Sequence, residues 1–122
     1  MIQRNKRNDK DKPTRFYSSN QEKAVAKELG GKVQPNSGAT LFKKGDVVTE
    51  DWLIECKVKT QKSDSFSIKK SWLEKNAHEA LFLGKPYNAV AFSFAPDEKS
   101  YYIIDEDTFK TIVETLSKNP AK

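Results

Sequence analysis

Apolar residues in this chain follow two rhythms. Residues 46–48 and 53–58 (Asp46-Val47-Val48 and Leu53-Ile54-Glu55-Cys56-Lys57-Val58) are β-branched and apolar in the manner of strands, and Thr49-Glu50-Asp51-Trp52 between them is the length of a hairpin loop. Elsewhere the spacing is helical. Ser19-Asn20-Gln21-Glu22 opens a helix whose Ala24, Val25 and Leu29 form an apolar stripe, and Gly30-Gly31 closes it. Leu73, Ala77 and Leu81 recur every four residues in a second helix over 69–83, ended by Gly84. A third, over 106–116, is expected to bury Phe109, Ile112, Val113 and Leu116. Short strands are expected at 32–34, 88–95 and 101–104, and loops at 35–39 and 60–65. Strands interleaved with helices predict an α/β domain.

Length adds that this is one domain, since 122 residues support a single core of moderate size. Charge adds a tail. Residues 1–15 carry Arg4, Lys6, Arg7, Lys10, Lys12 and Arg15 against Asp9 and Asp11, so most of the net charge of +5 sits there and the folded body, 16–117, is nearly neutral. A basic, apolar-poor segment is expected to be flexible alone and to order against a polyanion. Residues 118–122 are expected to fray. A sequence pI near 9.2 favours nucleic acid as that polyanion.

Several chemistries are set aside. No apolar run approaches the roughly 18 residues of a membrane span, and the charged N-terminus lacks a signal peptide's apolar core, so an intracellular, cytoplasmic protein is expected. One cysteine, Cys56, and one histidine, His78, cannot build a structural zinc site or an internal disulfide. Gly30-Gly31 lacks the downstream Gly-Lys-Ser/Thr of a phosphate-binding loop, which argues against a nucleotide cofactor.

What the hairpin does suggest is a metal site. A four-residue loop that closes symmetrically pairs Asp46 with Glu55, their Cβ atoms roughly 4.5–5.5 Å apart. Two buried carboxylates at that distance repel, and a hard divalent cation such as Mg²⁺ relieves the repulsion. Alternation puts Glu55 and Lys57 on one face, with Ile54, Cys56 and Val58 on the other as core. Lys57 then stands beside the carboxylates, where an ammonium can orient water or stabilise charge on a phosphate. A solvated strand face with an ordinary Glu and Lys is the plainer alternative. For Glu22 spacing alone favours a structural role, because Ser19 and Glu22 fit a capping box.

Glu22, Ser37-Gly38, Asp46, Glu55-Cys56-Lys57 and the apolar run 88–94, in this order, resemble the PD-(D/E)XK nuclease superfamily, in particular its Holliday-junction resolvase branch of archaeal-type enzymes and phage relatives. The match spans about residues 18–94, and Gly45 stands where the family name leads one to expect proline. The resemblance implies a restriction-endonuclease-like core: a central mixed sheet flanked by helices in α-β-β-β-α-β order, followed by an extra strand and a C-terminal helix. It implies that Asp46 and Glu55 bind Mg²⁺ or Mn²⁺, that Glu22 completes the site from the first helix, that Lys57 assists the attacking water, and that Ser37 meets the phosphate. The activity implied is hydrolysis of DNA phosphodiesters at branched or four-way junctions by a homodimer. Arg4, Lys6, Arg7, Arg15, Lys43, Lys44, Lys59, Lys62, Lys69 and Lys70 are the expected backbone contacts. Another nuclease of the superfamily, of nicking, repair or restriction type, and a non-catalytic nucleic-acid-binding protein of the same fold are the alternatives.

Overall fold

In the computed structural model, residues 14–34, 46–59 and 61–118 are described, with side chains from residue 19 onward. Along the chain run α1 (Thr14–Leu29), β1 (Lys32–Val33), β2 (Val47–Val48), β3 (Trp52–Val58), α2 (Lys70–Phe82), β4 (Tyr87–Ser93), β5 (Tyr101–Ile103) and α3 (Glu106–Lys118). The protein is α/β. Its five strands form one mixed sheet in the order β1-β2-β3-β4-β5, with β3 and β4 parallel and the other neighbours antiparallel. A parallel pair needs a crossover connection, and α2 supplies it.

The central strands are covered on both sides. Leu53, Ile54, Ala89, Val90 and Ala91 are all buried, which is why β3 and β4 read as continuous apolar runs where an alternating pattern would mark a half-solvated strand. Against one face α1 packs Val25 and Ala26 onto Val47, Ile54, Ala89 and Ala91. Against the other, α2 is fastened by Asn76, whose Nδ2 donates to the Leu53 carbonyl at 3.3 Å while its Oδ1 accepts from Asn88 at 2.8 Å. Both helices end alike. Gly30 and Gly84 adopt φ of 70° and 73°, and the next residue's amide bonds back to the carbonyl of Ala26 or Ala80, a closure that favours glycine. Gly31 has a different constraint: a Cβ there would stand 2.5 Å from the Val48 carbonyl oxygen, so the approach of α1 to β2 excludes a side chain.

Four expectations are corrected. First, α1 begins at Thr14, so Arg15 belongs to the helix, and Ser19 and Glu22 lie in its interior, where no orphan amides remain for a capping box. Second, the buried face of α1 is Gln21, Val25 and Ala26; Ala24 and Leu29 are exposed, because the helix is rotated to direct Gln21 at the sheet. Third, α2 buries Asn76, Glu79 and Ala80, leaving Ala77 and Leu81 in solvent, because polar groups on the sheet side draw that face inward. Fourth, α3 buries no residue at all: Ile112 is half-buried, while Phe109, Val113 and Leu116 are exposed. The helix stands off the sheet over an apolar cavity of about 410 Å³ lined by residues that include Trp52, Ile54, Tyr102 and Ile112. Among the described residues no helix is long and apolar enough to cross a membrane.

Candidate metal and nucleic-acid site

The β2–β3 hairpin sets the geometry. Thr49 closes it by donating its amide to the Trp52 carbonyl at 2.9 Å and accepting the Trp52 amide on Oγ1 at 3.0 Å. Val48 then faces Leu53 and Val47 faces Ile54, and the same register sets Asp46, one residue before the strand, opposite Glu55. Their residues are only 3 % and 2 % exposed. Because side chains alternate, both carboxyls project to the α2 side, away from the Val47 and Ile54 side chains that pack with α1.

A third acid meets them there. Glu79, buried on α2, lies beside Asp46 and is ion-paired with Lys75 one turn earlier. Burial, then the charges of Glu55 and Glu79, then the Glu79 hydrogen bond push the Asp46 carboxyl up to about 8, with Lys75 opposing. Asp46 is thereby driven toward its protonated form. Lys57 lies on the same face: its Nζ is 3.1 Å from Glu55 Oε2 and 4.5 Å from the centroid of the Trp72 ring. The ammonium is wedged between a carboxylate and an aromatic face while remaining partly open to solvent.

Glu22 sits elsewhere. It is half-buried on α1, and its charge bears on the Cys56 thiol, a side chain that alternates with Glu55 and Lys57 and so points to the opposite face. Burial, joined by Glu22, Asp46 and Glu55, pushes that thiol up, which keeps Cys56 protonated and inert as a nucleophile. Its neighbour Gln21 is buried and reaches across the sheet: Nε2 donates to the Lys57 carbonyl at 2.8 Å and lies 3.5 Å from Ser93 Oγ and Ser100 Oγ. The carbonyl of the residue that carries the site's ammonium is thus held from behind by α1.

Of the expected backbone contacts, Lys59 is half-buried with its Nζ 5.5 Å from the centroid of the Phe66 ring. Lys62 pairs with Glu98 at 3.8 Å, Lys70 with Glu74 at 3.9 Å, and Lys69 is the exposed residue preceding α2. His78 is exposed on α2, as a surface residue would be. Arg4, Lys6, Arg7, Ser37, Lys43 and Lys44 lie outside the described residues, as does the side chain of Arg15.

The residues missing from the sequence reading are Glu79, Lys75 and Gln21. Lys75 and Glu79 have the i, i+4 spacing of an ordinary solvated ion pair, and only the rotation of α2 turns the Glu inward. Gln21 carried no signal beyond its place next to Glu22.

Among the described residues no group of three His, Cys, Asp or Glu side chains forms a ready metal cage. The donor set nevertheless fits Mg²⁺ or Mn²⁺, because such ions are commonly held by one or two carboxylates with water and substrate phosphate filling the remaining positions. Asp46 and Glu55 are two such carboxylates, and burial followed by the Glu55 charge pushes the Asp46 carboxyl up. Compared with protein-family models, curated proteins and solved structures, the chain matches none of them.

Proposed function

We propose that this protein is a metal-dependent DNA endonuclease with a restriction-endonuclease-like core, acting on branched DNA as a Holliday-junction resolvase does. The observation that carries the reading is the register that sets Asp46 opposite Glu55, with Lys57 two residues along the same face and 3.1 Å from the Glu55 carboxylate. One tight turn brings Asp46, the residue before β2, to Glu55 and Lys57 on β3, in the order and spacing that the nuclease superfamily uses. The element order supports the same reading: helix, three strands, crossover helix, then a strand parallel to the one bearing Glu55 and Lys57.

Asp46 and Glu55 would hold the cation, which when bound supplies charge neutralisation at the scissile phosphate and lowers the pKa of water. The chain's own residues do the rest. With a cation bound, Asp46 would be held in its ionised form, and Glu79 would keep its ion pair with Lys75. Lys57 presents an ammonium from beside Glu55, placed to stabilise negative charge on the phosphate or to orient the water. Gln21, through the Lys57 carbonyl, keeps the end of β3 from drifting, so that the ammonium stays in register with the carboxylates. Glu22, half-buried on α1, stands on the Cys56 side of the sheet. Surface lysines contact phosphates rather than bases, so recognition follows shape and binding weakens steeply with salt.

Two symmetric nicks need two sites, and one chain of this size carries one, so the resolvase reading includes a two-fold homodimer. The test is cleavage of a labelled four-way junction beside a matched linear duplex, with Mg²⁺, with EDTA, and with Glu55→Ala protein. Paired nicks confined to the junction and dependent on metal and Glu55 support a resolvase. Equal cutting of the duplex assigns the chain to another nuclease of the fold, and binding without cutting to the non-catalytic reading.

A further inference from the structure

The face that carries Lys57 continues, past the start of α2, into a cluster of aromatic rings. Lys57 is paired across the sheet with Phe92, and Phe92 with Tyr101, so one row running from β3 through β4 to β5 carries an ammonium and two rings on the same side. Phe94 lies 5.3 Å from Phe92 and 5.6 Å from Tyr101, centroid to centroid; Phe66, from the loop before α2, lies 5.0 Å from Phe92 and 6.2 Å from Trp72. Five rings at these separations make a cluster of the kind found inside domains. Yet none of the five is buried, and Tyr101 is 47 % exposed.

Three ammonium groups stand over these rings: Lys57 above Trp72 at 4.5 Å, Lys59 above Phe66 at 5.5 Å and Lys99 above Tyr101 at 5.8 Å. Of the nearby carboxylates, Glu55 is engaged by Lys57 and Glu98 by Lys62. A solvated aromatic surface framed by cations offers two complementary things to a polyanion: ring faces for stacking and positive charge for phosphates. Duplex DNA cannot use the rings, because its bases are already stacked. An unpaired strand can, and aromatic platforms edged by Lys or Arg are how sequence-tolerant single-strand binding is built.

We propose that Phe66, Phe92, Phe94 and Tyr101, with Lys59 and Lys99, form a stacking platform for unpaired nucleotides of a DNA strand, leading into the Asp46–Glu55–Lys57 site. Tyr101 is two strand spacings from Lys57, about 10 Å across the sheet, so a base on the platform and a phosphate at the site belong to neighbouring nucleotides of one strand. The proposal takes its place in catalysis from the nuclease reading and names the substrate class: branched DNA in which bases next to the cut are unstacked. Its measurement does not depend on cleavage.

Full-length protein in EDTA is titrated into a fluorescein-labelled 20-nucleotide oligo-dT and, separately, into a duplex of equal length, with anisotropy as the readout. The basic N-terminal segment attracts both, so the ratio of the two affinities is the quantity of interest. Wild-type protein binds the single strand more tightly; Tyr101→Ala and Phe66→Ala each weaken single-strand binding about tenfold and leave duplex binding unchanged; Tyr101→Phe, which keeps the ring, restores it to within about twofold. Phe66 is in a loop and Tyr101 on an edge strand, so the two alanine variants test the platform from different elements. Preference for the duplex by wild-type protein, or single-strand binding that neither alanine variant reduces, overturns the platform. If wild-type protein shows this single-strand preference and its loss in both alanine variants, yet cuts neither junction nor duplex with Mg²⁺ or Mn²⁺, the platform stands and the nuclease reading falls. Metal-dependent junction cleavage by a protein indifferent to Tyr101 and Phe66 gives the reverse.

Discussion

Asp46 lies beside Glu79, so that a buried acid just before β2 meets a buried acid of α2. Burial first, then the charges of Glu55 and Glu79, push the Asp46 carboxyl up. The pair is charge-crowded by Glu55 and only partly relieved by Lys75, the pattern expected where a cation would be the better partner.

The first consequence concerns stability against pH. The Asp46 carboxyl is raised from its ordinary value of 3.8 to about 8 in the folded protein, so between these limits the folded state binds a proton that the unfolded state has released. Lowering the pH from 8 towards 4 therefore stabilises the metal-free fold, raising it destabilises, and below 3.8 the effect vanishes because both states are protonated. Asp46→Asn, which cannot ionise, is predicted to melt higher than wild type at pH 8 and to lose this pH dependence. Thermal melts of both proteins between pH 4 and 9 in EDTA check it. A variant that melts lower throughout would contradict the charge-crowded site.

Lys57→Met separates positioning from chemistry. Removing the ammonium while keeping a long apolar side chain over Trp72 is predicted to lower the cleavage rate about 100–1,000-fold, as loss of a single stabilising donor does elsewhere. Mn²⁺ binding persists, because the carboxylates are intact. Single-turnover cleavage of a junction beside Mn²⁺ titration of the same protein gives both numbers.

Gly31→Ala probes the other side of the hairpin. The added methyl meets the Val48 carbonyl oxygen at 2.5 Å, with Thr49 Cγ2 and Val47 Cγ1 also close, so β2 must move or α1 must lift. The expected cost is about 1–3 kcal/mol in a urea titration, in the range of overpacked cores. A shift of β2 carries Asp46 with it, so cleavage falls even where the variant is fully folded.

The start of α3 is held by Asp105, whose Oδ1 accepts the Thr108 amide at 2.8 Å, and this bond lowers the Asp105 carboxyl below its ordinary value. Asp105→Ala is predicted to cost about 1 kcal/mol, an ordinary loss for an N-cap. The wild-type contribution is present above the ordinary value of 3.8 and disappears as the pH falls through the lower folded value. Because α3 buries no residue, hydrogen exchange of its first-turn amides should report the loss before global unfolding does.

How far the sequence could be read follows from which signals are local. The hairpin was legible because a four-residue turn between two β-branched runs leaves one symmetric register, and that register alone sets Asp46 against Glu55. The element order was legible because glycines at 30 and 84 end helices by their own backbone preference. Helix rotation was not. Ala24, Ala77 and Leu81 have the periodicity of a buried stripe, but α1 turns Gln21 inward to reach the Lys57 carbonyl, and α2 turns Asn76 and Glu79 inward to reach Leu53 and Asp46. Polar residues with partners elsewhere in the chain outweigh Ala24 and Ala77, which gain little from burial, and the same rotation of α2 leaves Leu81 exposed. For α3 the amphipathic pattern was correctly read as helix, while its burial depended on a surface that the sheet does not offer, since Trp52, Tyr102 and Ile104 leave a cavity beneath it.

The central claim is that Asp46 and Glu55 make a cation site, and calorimetric titration of Mn²⁺ into full-length protein at pH 7, in two buffers of different ionisation enthalpy, tests it most directly. The account predicts one ion per chain, release of about one proton as Asp46 is displaced from Glu79, and loss of binding in Asp46→Asn and in Glu55→Gln. Binding of equal strength in wild type and both variants, or no binding by wild type at millimolar Mn²⁺, would contradict it.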